Sequence, residues 1–370
     1  MTIGKMNGTD SNETVPNCFF VKCQFTFGER VIIIFFFTMI FFVSLVGNCV
    51  LFSAILRHKR LRRSSTNFSM LSLSFANILI TLFCIPVFVI DLFIMGKWVF
   101  GLIACKLVSF VQNVAINAAL FTLLIIGVEK FLVVYFPFHV RSQRTKVRYL
   151  VLGGWIVGII QSSVYLSYRT VKRFHGVAYC IEDWPSFKTR QIFNIVQAVA
   201  LRFVPITFMI CLHMVTIMKI RARLQYRRSN EQDETLSNSA MVQVSPHALK
   251  TRKKAVVMLV VIVTASAFTL FPYNGFMCWR MLASPEMLAD PFASNVAYIV
   301  TMWLVFFNSV CHPIIFGLMS SEYRNAAKRT LSITWKSPAS SRSRSDIRKQ
   351  NREEPMIMTA QIGNCPSGSS

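Results

Sequence analysis

The sequence predicts an all-α membrane protein, a seven-transmembrane helix bundle with a short amphipathic cytoplasmic helix. Two observations predict it. Seven long apolar stretches occupy most of the 370 residues, each near the roughly 20 residues that an α-helix rising 1.5 Å per residue needs to cross a bilayer. The charges flanking these stretches fall almost entirely on one side of the expected membrane. The spans are expected over Val31 to Leu56, Asn67 to Met95, Leu102 to Tyr135, Val147 to Tyr168, Gln191 to Leu224, Lys254 to Met281 and Asn295 to Met319.

The net charge of +24 raises the question of a nucleic-acid partner, and its distribution answers it. Counted from an extracellular N-terminus, the outer segments hold 11 Lys and Arg against 8 acids, and the inner segments hold 28 against 8. Arg202, inside the fifth span, is the remaining base. The excess of inner Lys and Arg orients the chain with its N-terminus outside and its C-terminus in the cytoplasm of the plasma membrane. An anionic inner leaflet attracts such bases by about 1 kcal/mol each, so the lipid bilayer accounts for the charge and no nucleic acid is needed.

Residues 1–30 form the extracellular N-terminus. They lack a charged region followed by an apolar core, so the first span is expected to act as its own signal anchor. The sequons at Asn7 and Asn12 face the secretory lumen in this orientation and are expected to carry glycans. A third triplet, at Asn67, falls on the cytoplasmic side and is expected to stay bare.

After the bundle, residues 31–319, the segment Glu322 to Leu331 places Tyr323, Ala326, Ala327 and Leu331 on one helical face and Arg324, Lys328 and Arg329 elsewhere. This pattern predicts a surface helix on the inner leaflet over residues 320–331. The polar stretch from Gln225 to Arg252 reads as a cytoplasmic loop. Residues 332–370 read as a disordered tail, in which Ser340 to Ser345 is either a kinase target or a solvated basic run. The two halves of the chain show no repeat, which argues against a transporter built from duplicated units.

Several helices carry landmarks at fixed spacing: Gly47-Asn48 in the first, Leu73-Ser74-Phe75-Ala76-Asn77 with Pro86 in the second, and Trp98-Val99-Phe100-Gly101 before Cys105. Glu129-Lys130-Phe131 with Pro137, then Trp155, Pro205 and Pro272, mark the third to sixth. The seventh reads Asn308-Ser309-Val310-Cys311-His312-Pro313-Ile314-Ile315-Phe316. Together they resemble rhodopsin-like (class A) G-protein-coupled receptors over roughly Val31 to Leu331. That resemblance implies a receptor that transmits extracellular ligand binding to a heterotrimeric G protein, with arrestin and a receptor kinase as further partners.

Of the ten cysteines, Cys49, Cys84, Cys211 and Cys311 sit inside spans as small hydrophobes. Cys18, Cys23, Cys105, Cys180 and Cys278 face the oxidising side. A disulfide between Cys105 and Cys180, expected here, pins the loop before the fifth span across the mouth of the bundle, with a chain-entropy contribution of about 4 kcal/mol. Cys18 with Cys23, or either with Cys278, remain alternatives.

At several positions the chain departs from the family pattern. Asn77 replaces an aspartate and Ala119 a serine, so no sodium site is expected, because a hard cation lacks a charged partner there. Lys130 replaces an arginine beside Glu129 and loses the planar five-donor fork. The resemblance gives this base a place in G-protein coupling, and the alternative is a pair that merely snorkels to the interface. His213 and Phe316 stand where two tyrosines usually meet through water, and Phe316 has no hydroxyl. Leu270 and Ser266 replace a tryptophan and a phenylalanine that repack on activation. His312 replaces an asparagine ahead of Pro313, which should still kink the helix. Both histidines are read as neutral and hydrogen-bonded rather than as pH sensors.

Missing atoms exclude two ligand classes. The seventh span has no lysine for a retinal Schiff base, and Cys105 to Val128 holds no acid to pair with an amine. Gln112 lies five turns above Lys130, roughly 27 Å away on the same face. It either contacts a ligand, as glutamine does here among peptide-binding relatives, or bridges helices. Arg202 either receives a carboxylate or polar group of a ligand or pairs within the bundle. The loop Arg169 to Trp184 has β-branched and aromatic residues around Gly176 and is expected to form a hairpin, with Glu182 and Asp183 as a negative spot for a basic ligand residue. No metal, no cofactor and no catalytic chemistry are expected. The reading is a receptor for a neuropeptide or other peptide; the alternative is a non-signalling decoy or scaffold of the same fold.

Overall fold

The computed structural model describes residues 25–62, 64–136, 144–174, 176–231, 246–282 and 291–335. Asn7, Asn12, Cys18, Cys23, Pro137 and the Ser340 to Ser345 run lie outside the described residues. Seven long helices form one bundle: α1 (Phe27–Arg57), α2 (65–95), α3 (Gly101–Tyr135), α4 (144–168), α5 (187–231), α6 (Pro246–Leu282) and α7 (Pro291–Met319). An eighth, α8 (Ser321–Trp335), follows after one residue. Each of the seven contains a stretch long and apolar enough to cross a membrane, and those stretches begin and end within four residues of the expected spans.

Local chemistry sets the helix ends. Thr26 caps α1 through a capping box: its hydroxyl accepts from the Glu29 amide at 3.3 Å, and the Glu29 carboxylate accepts from the Thr26 amide at 2.8 Å. At the end of α7, the Arg324 guanidinium donates to the free carbonyls of Leu318 at 2.7 Å and Gly317 at 3.3 Å, joining α8 to the last turn.

Two prolines reshape helices toward their interior. Pro86 lacks an N–H, its ring crowds the carbonyl four residues back, and α2 carries a π-turn over Ile80–Cys84 just before it. In α5 a π-turn over Val199–Phe203 likewise precedes Pro205. The wider turn leaves Arg202, the one charged residue within it, buried at 6 % exposure.

Packing follows the bilayer's demands. Many large apolar side chains point outward, including Phe36, Ile160, Phe208 and Phe268, each more than half exposed. Such a belt is untenable in water and natural in hydrocarbon. Inside, Phe37, Phe88, Phe93 and Phe306 interlock α1, α2 and α7 with ring centroids 5.3 to 6.2 Å apart. Deeper lies a polar core: Asn77 donates to Asn48 at 3.0 Å and pairs with His312 Nδ1 at 3.0 Å, and Ser44 joins Thr81 at 2.7 Å and Ser309 at 2.9 Å. Gly47 lets α1 meet α7, because a Cβ there would fall 2.8 Å from the Pro313 ring.

Between α4 and α5 the chain forms the expected antiparallel hairpin, β1 (Arg169–Phe174) and β2 (Val177–Glu182). Gly176 in its turn has φ +79°, a left-handed conformation that suits glycine. The Cys105–Cys180 disulfide anchors β2 to the start of α3, and the Trp98 amide donates to the Ala178 carbonyl at 2.8 Å. Cys278 has no disulfide partner among the described residues.

One expectation is corrected. The stretch from Gln225 to Arg252, read as a loop, is helical at both ends, since α5 continues to Glu231 and α6 begins at Pro246. Its Arg and Lys content matched a solvated loop, but helices that project beyond a bilayer are charged all round and lose the apolar signal. The surface helix also runs four residues past Leu331, and it packs Ala326 and Thr330 inward while Leu331 turns out.

Candidate functional site

A cavity of about 140 Å³ lies under the hairpin, walled by α3, α4, α5, α6, α7 and the two strands. Gln112 and Arg202, both expected, line it, together with Asn113, Gln197, Tyr165 and Tyr273. Its wall is rich in amides, phenols and guanidiniums, with Ile116, Met277, Met302 and Val305 among its apolar patches. An engineered apolar cavity of about 150 Å³ accepts benzene, so this space suits one side chain or a chain terminus rather than a whole peptide.

Arg202 reaches the cavity with two neutral partners: it donates to Gln197 Oε1 at 3.1 Å and to Asn113 Oδ1 at 3.3 Å. Tyr165 also donates to Gln197 Oε1, at 3.2 Å. No carboxylate contacts Arg202 among the described residues. Arginine keeps its charge under all ordinary conditions, so this face of α5 presents a cation to the cavity.

The two acids expected to form a negative spot have partners within the chain. Glu182 lines the cavity, but its carboxylate is shared by Arg169 at 2.9 Å and Arg190 at 3.1 Å, with the Trp184 indole donating at 3.0 Å. Burial by itself raises the Glu182 pKa; the two guanidiniums and the hydrogen bonds from Trp184 and Arg190 outweigh it and hold the carboxyl below its usual range. Asp183 lies outside the cavity, exposed, and pairs with Lys172 at 2.7 Å. In this arrangement both acids pair with bases of the hairpin and of α5. Trp184 stacks on Tyr168 with centroids 4.3 Å apart, which closes the base of the lid.

Sequence reasoning missed Arg190, Asn194 and Gln197, which recur at helical spacing on the cavity face of α5. Those intervals of four and three were legible, but Arg190 fell one residue before the expected span, and Asn194 and Gln197 within it were given no role. Arg169 was counted among outer charges without a role.

At the opposite end of α3, Glu129 accepts from the Ser65 hydroxyl at 2.5 Å and from Thr66 at 3.3 Å, and Lys130 donates to Thr66. Both side chains are partly buried, with these hydrogen-bond partners on α2. Residues 246–256 of α6 contain no acid, so Lys130 has no carboxylate to meet there.

Between the two ends lies a second, water-sized space of about 10 Å³, lined by Asn77, Ala119, Leu270, Asn308, Ser309 and His312 among others, with no carboxylate in its wall. His312 Nε2 is 3.5 Å from the Ser266 hydroxyl. His213 is 1 % exposed, lies under Gly127, and neither ring nitrogen has a partner among the described residues. Phe316 is buried in the core, and Pro313 sits against Gly47.

A bundle of seven membrane-length helices, with a lid tied to α3 and a cavity lined by polar and apolar side chains beneath it, has the architecture of a seven-helix membrane receptor. The chain belongs to the seven-transmembrane receptor family of the rhodopsin type, whose pattern matches residues 47–316. It is 25 % identical over 310 residues to the galanin receptor 2a of Danio rerio, an alignment covering 83 % of this chain and 80 % of that one. It is 28 % identical over 294 residues to the pyroglutamylated RF-amide peptide receptor of Mus musculus, covering 77 % and 66 %. The substance-P receptor of Cavia porcellus is 23 % identical over 291 residues, covering 78 % and 68 %.

Proposed function

We propose that this protein is a plasma-membrane receptor for a peptide, with the hairpin and cavity facing outside and the Glu129–Lys130 end facing a heterotrimeric G protein. The observation that carries the reading is the cavity itself: Gln112 and Arg202 converge under a disulfide-anchored hairpin, in a wall that mixes polar groups with apolar patches. The relatives whose names specify peptide ligands support it. The excess of inner Lys and Arg supports an N-terminus outside. The ligand acts by binding one arrangement of the bundle more tightly than another, since equal affinity for both shifts nothing.

A second reading, a non-signalling binder of the same fold, rests on the coupling end. Lys130 is engaged by α2, α6 offers it no acid, and Phe316 has no hydroxyl. G-protein dissociation in cells with verified surface levels, across a library of amidated and free-acid peptides, separates the two. A saturable response to a peptide is expected. Silence with normal surface expression favours the binder.

A further inference from the structure

The cavity wall carries an imbalance that no described residue lining it offsets. Arg169, Arg190 and Arg202 line it against the single carboxylate of Glu182, which leaves two unmatched positive charges. Arg280, at the end of α6, is close enough to Arg190 to repel it and adds to the same sign. Two donors on this wall are also idle: Arg169 Nε and Gln197 Nε2 are buried with no acceptor among the described residues. An unmet buried donor is costly, and the cost vanishes when a ligand brings an acceptor. Arg202 adds a third consideration, because its partners are neutral amides that leave its charge uncompensated.

We propose that the cavity binds its ligand through a carboxylate, held by Arg202 and the Arg169 side of the lid, with the amide of Gln197 as a further donor. The proposal deepens the peptide reading and rests on it: the group is the free C-terminal carboxylate of the ligand. A planar guanidinium meets a carboxylate through two parallel hydrogen bonds, which a C-terminal amide cannot reproduce as an acceptor of equal charge. The small volume agrees, since it admits a chain terminus and leaves the remainder of the peptide to the lid.

The test is thermal unfolding of the detergent-purified full chain with three probes at equal concentration. These are a pool of N-acetylated tetrapeptides with free C-terminal carboxylates, the same pool with C-terminal amides, and succinate. The acid pool is expected to raise the melting temperature by about 3–6 °C and the amide pool to leave it unchanged. Arg202→Gln should lower the apparent affinity for the acid pool at least tenfold, and Arg202→Lys, which keeps the charge and loses the fork, should fall between. If a variant does not fold, the acid-against-amide comparison on the unaltered chain decides alone. Equal stabilisation by the amide pool overturns the carboxylate and leaves the peptide reading intact. Succinate matching the acid pool supports the carboxylate and overturns the peptide reading. No shift with any probe overturns the proposal.

Discussion

At the scale of single residues, polarity was legible and pairing was not. Arg202 stood out in the sequence because a cation inside an apolar span needs a partner, and Gln112 because it lies on the face of α3 that carries Lys130. Both line the cavity. The partners of Glu182 and Asp183 were not legible, because a sequence shows an acid without showing its neighbours: Arg169 and Arg190 reach Glu182 from β1 and α5. Glu182→Gln should therefore loosen the lid by about 1–3 kcal/mol, between the worth of an exposed pair and that of a buried one, read as a lower melting temperature. The same carboxylate gives a pH dependence. Its pKa is lower folded than unfolded, so its contribution is complete above the unfolded value of about 4.3 and fades as pH falls through the folded value. The melting temperature of the unaltered chain should lose more between pH 5 and pH 3 than that of Glu182→Gln.

Helices were legible in the sequence as apolar length, and their irregularities were legible only as prolines. All seven spans fell within four residues of the observed segments, because a bilayer requires one continuous apolar run per crossing. The π-turns before Pro86 and Pro205 were not foreseen, since a proline signals a disturbed helix without specifying whether it kinks or widens. The second of these matters for the site, as it contains Arg202. The contact between α1 and α7 depends on Gly47, where a Cβ would lie 2.8 Å from Pro313. Gly47→Val should cost about 1–3 kcal/mol through overpacking, measured as a lower melting temperature with reduced surface expression. Gly275, whose added Cβ meets nothing within 4 Å, supplies the control: Gly275→Ala should leave both readings near those of the unaltered chain.

In the whole molecule, the cavity under the hairpin, where recognition is proposed, and the Lys130 end of α3, where coupling is proposed, lie on either side of the polar core around Asn77 and His312. The bundle and its membership in the rhodopsin-type family were legible from landmarks spread along the chain. The positive character of the cavity was not, because Arg169, Arg190 and Arg202 come from a strand and two parts of one helix that only the fold brings together.

The most direct test compares three chains at matched surface level in one assay, G-protein dissociation against peptide concentration: the unaltered receptor, Arg202→Gln and Lys130→Ala. The account predicts a saturable response from the unaltered chain. It predicts a 10- to 100-fold loss of potency with undiminished maximum for Arg202→Gln, the worth of one charge-assisted hydrogen-bonded group, and no activation for Lys130→Ala. Unchanged potency in Arg202→Gln, or full signalling by Lys130→Ala, would contradict the division of the molecule into a cavity that recognises and a distant end that couples.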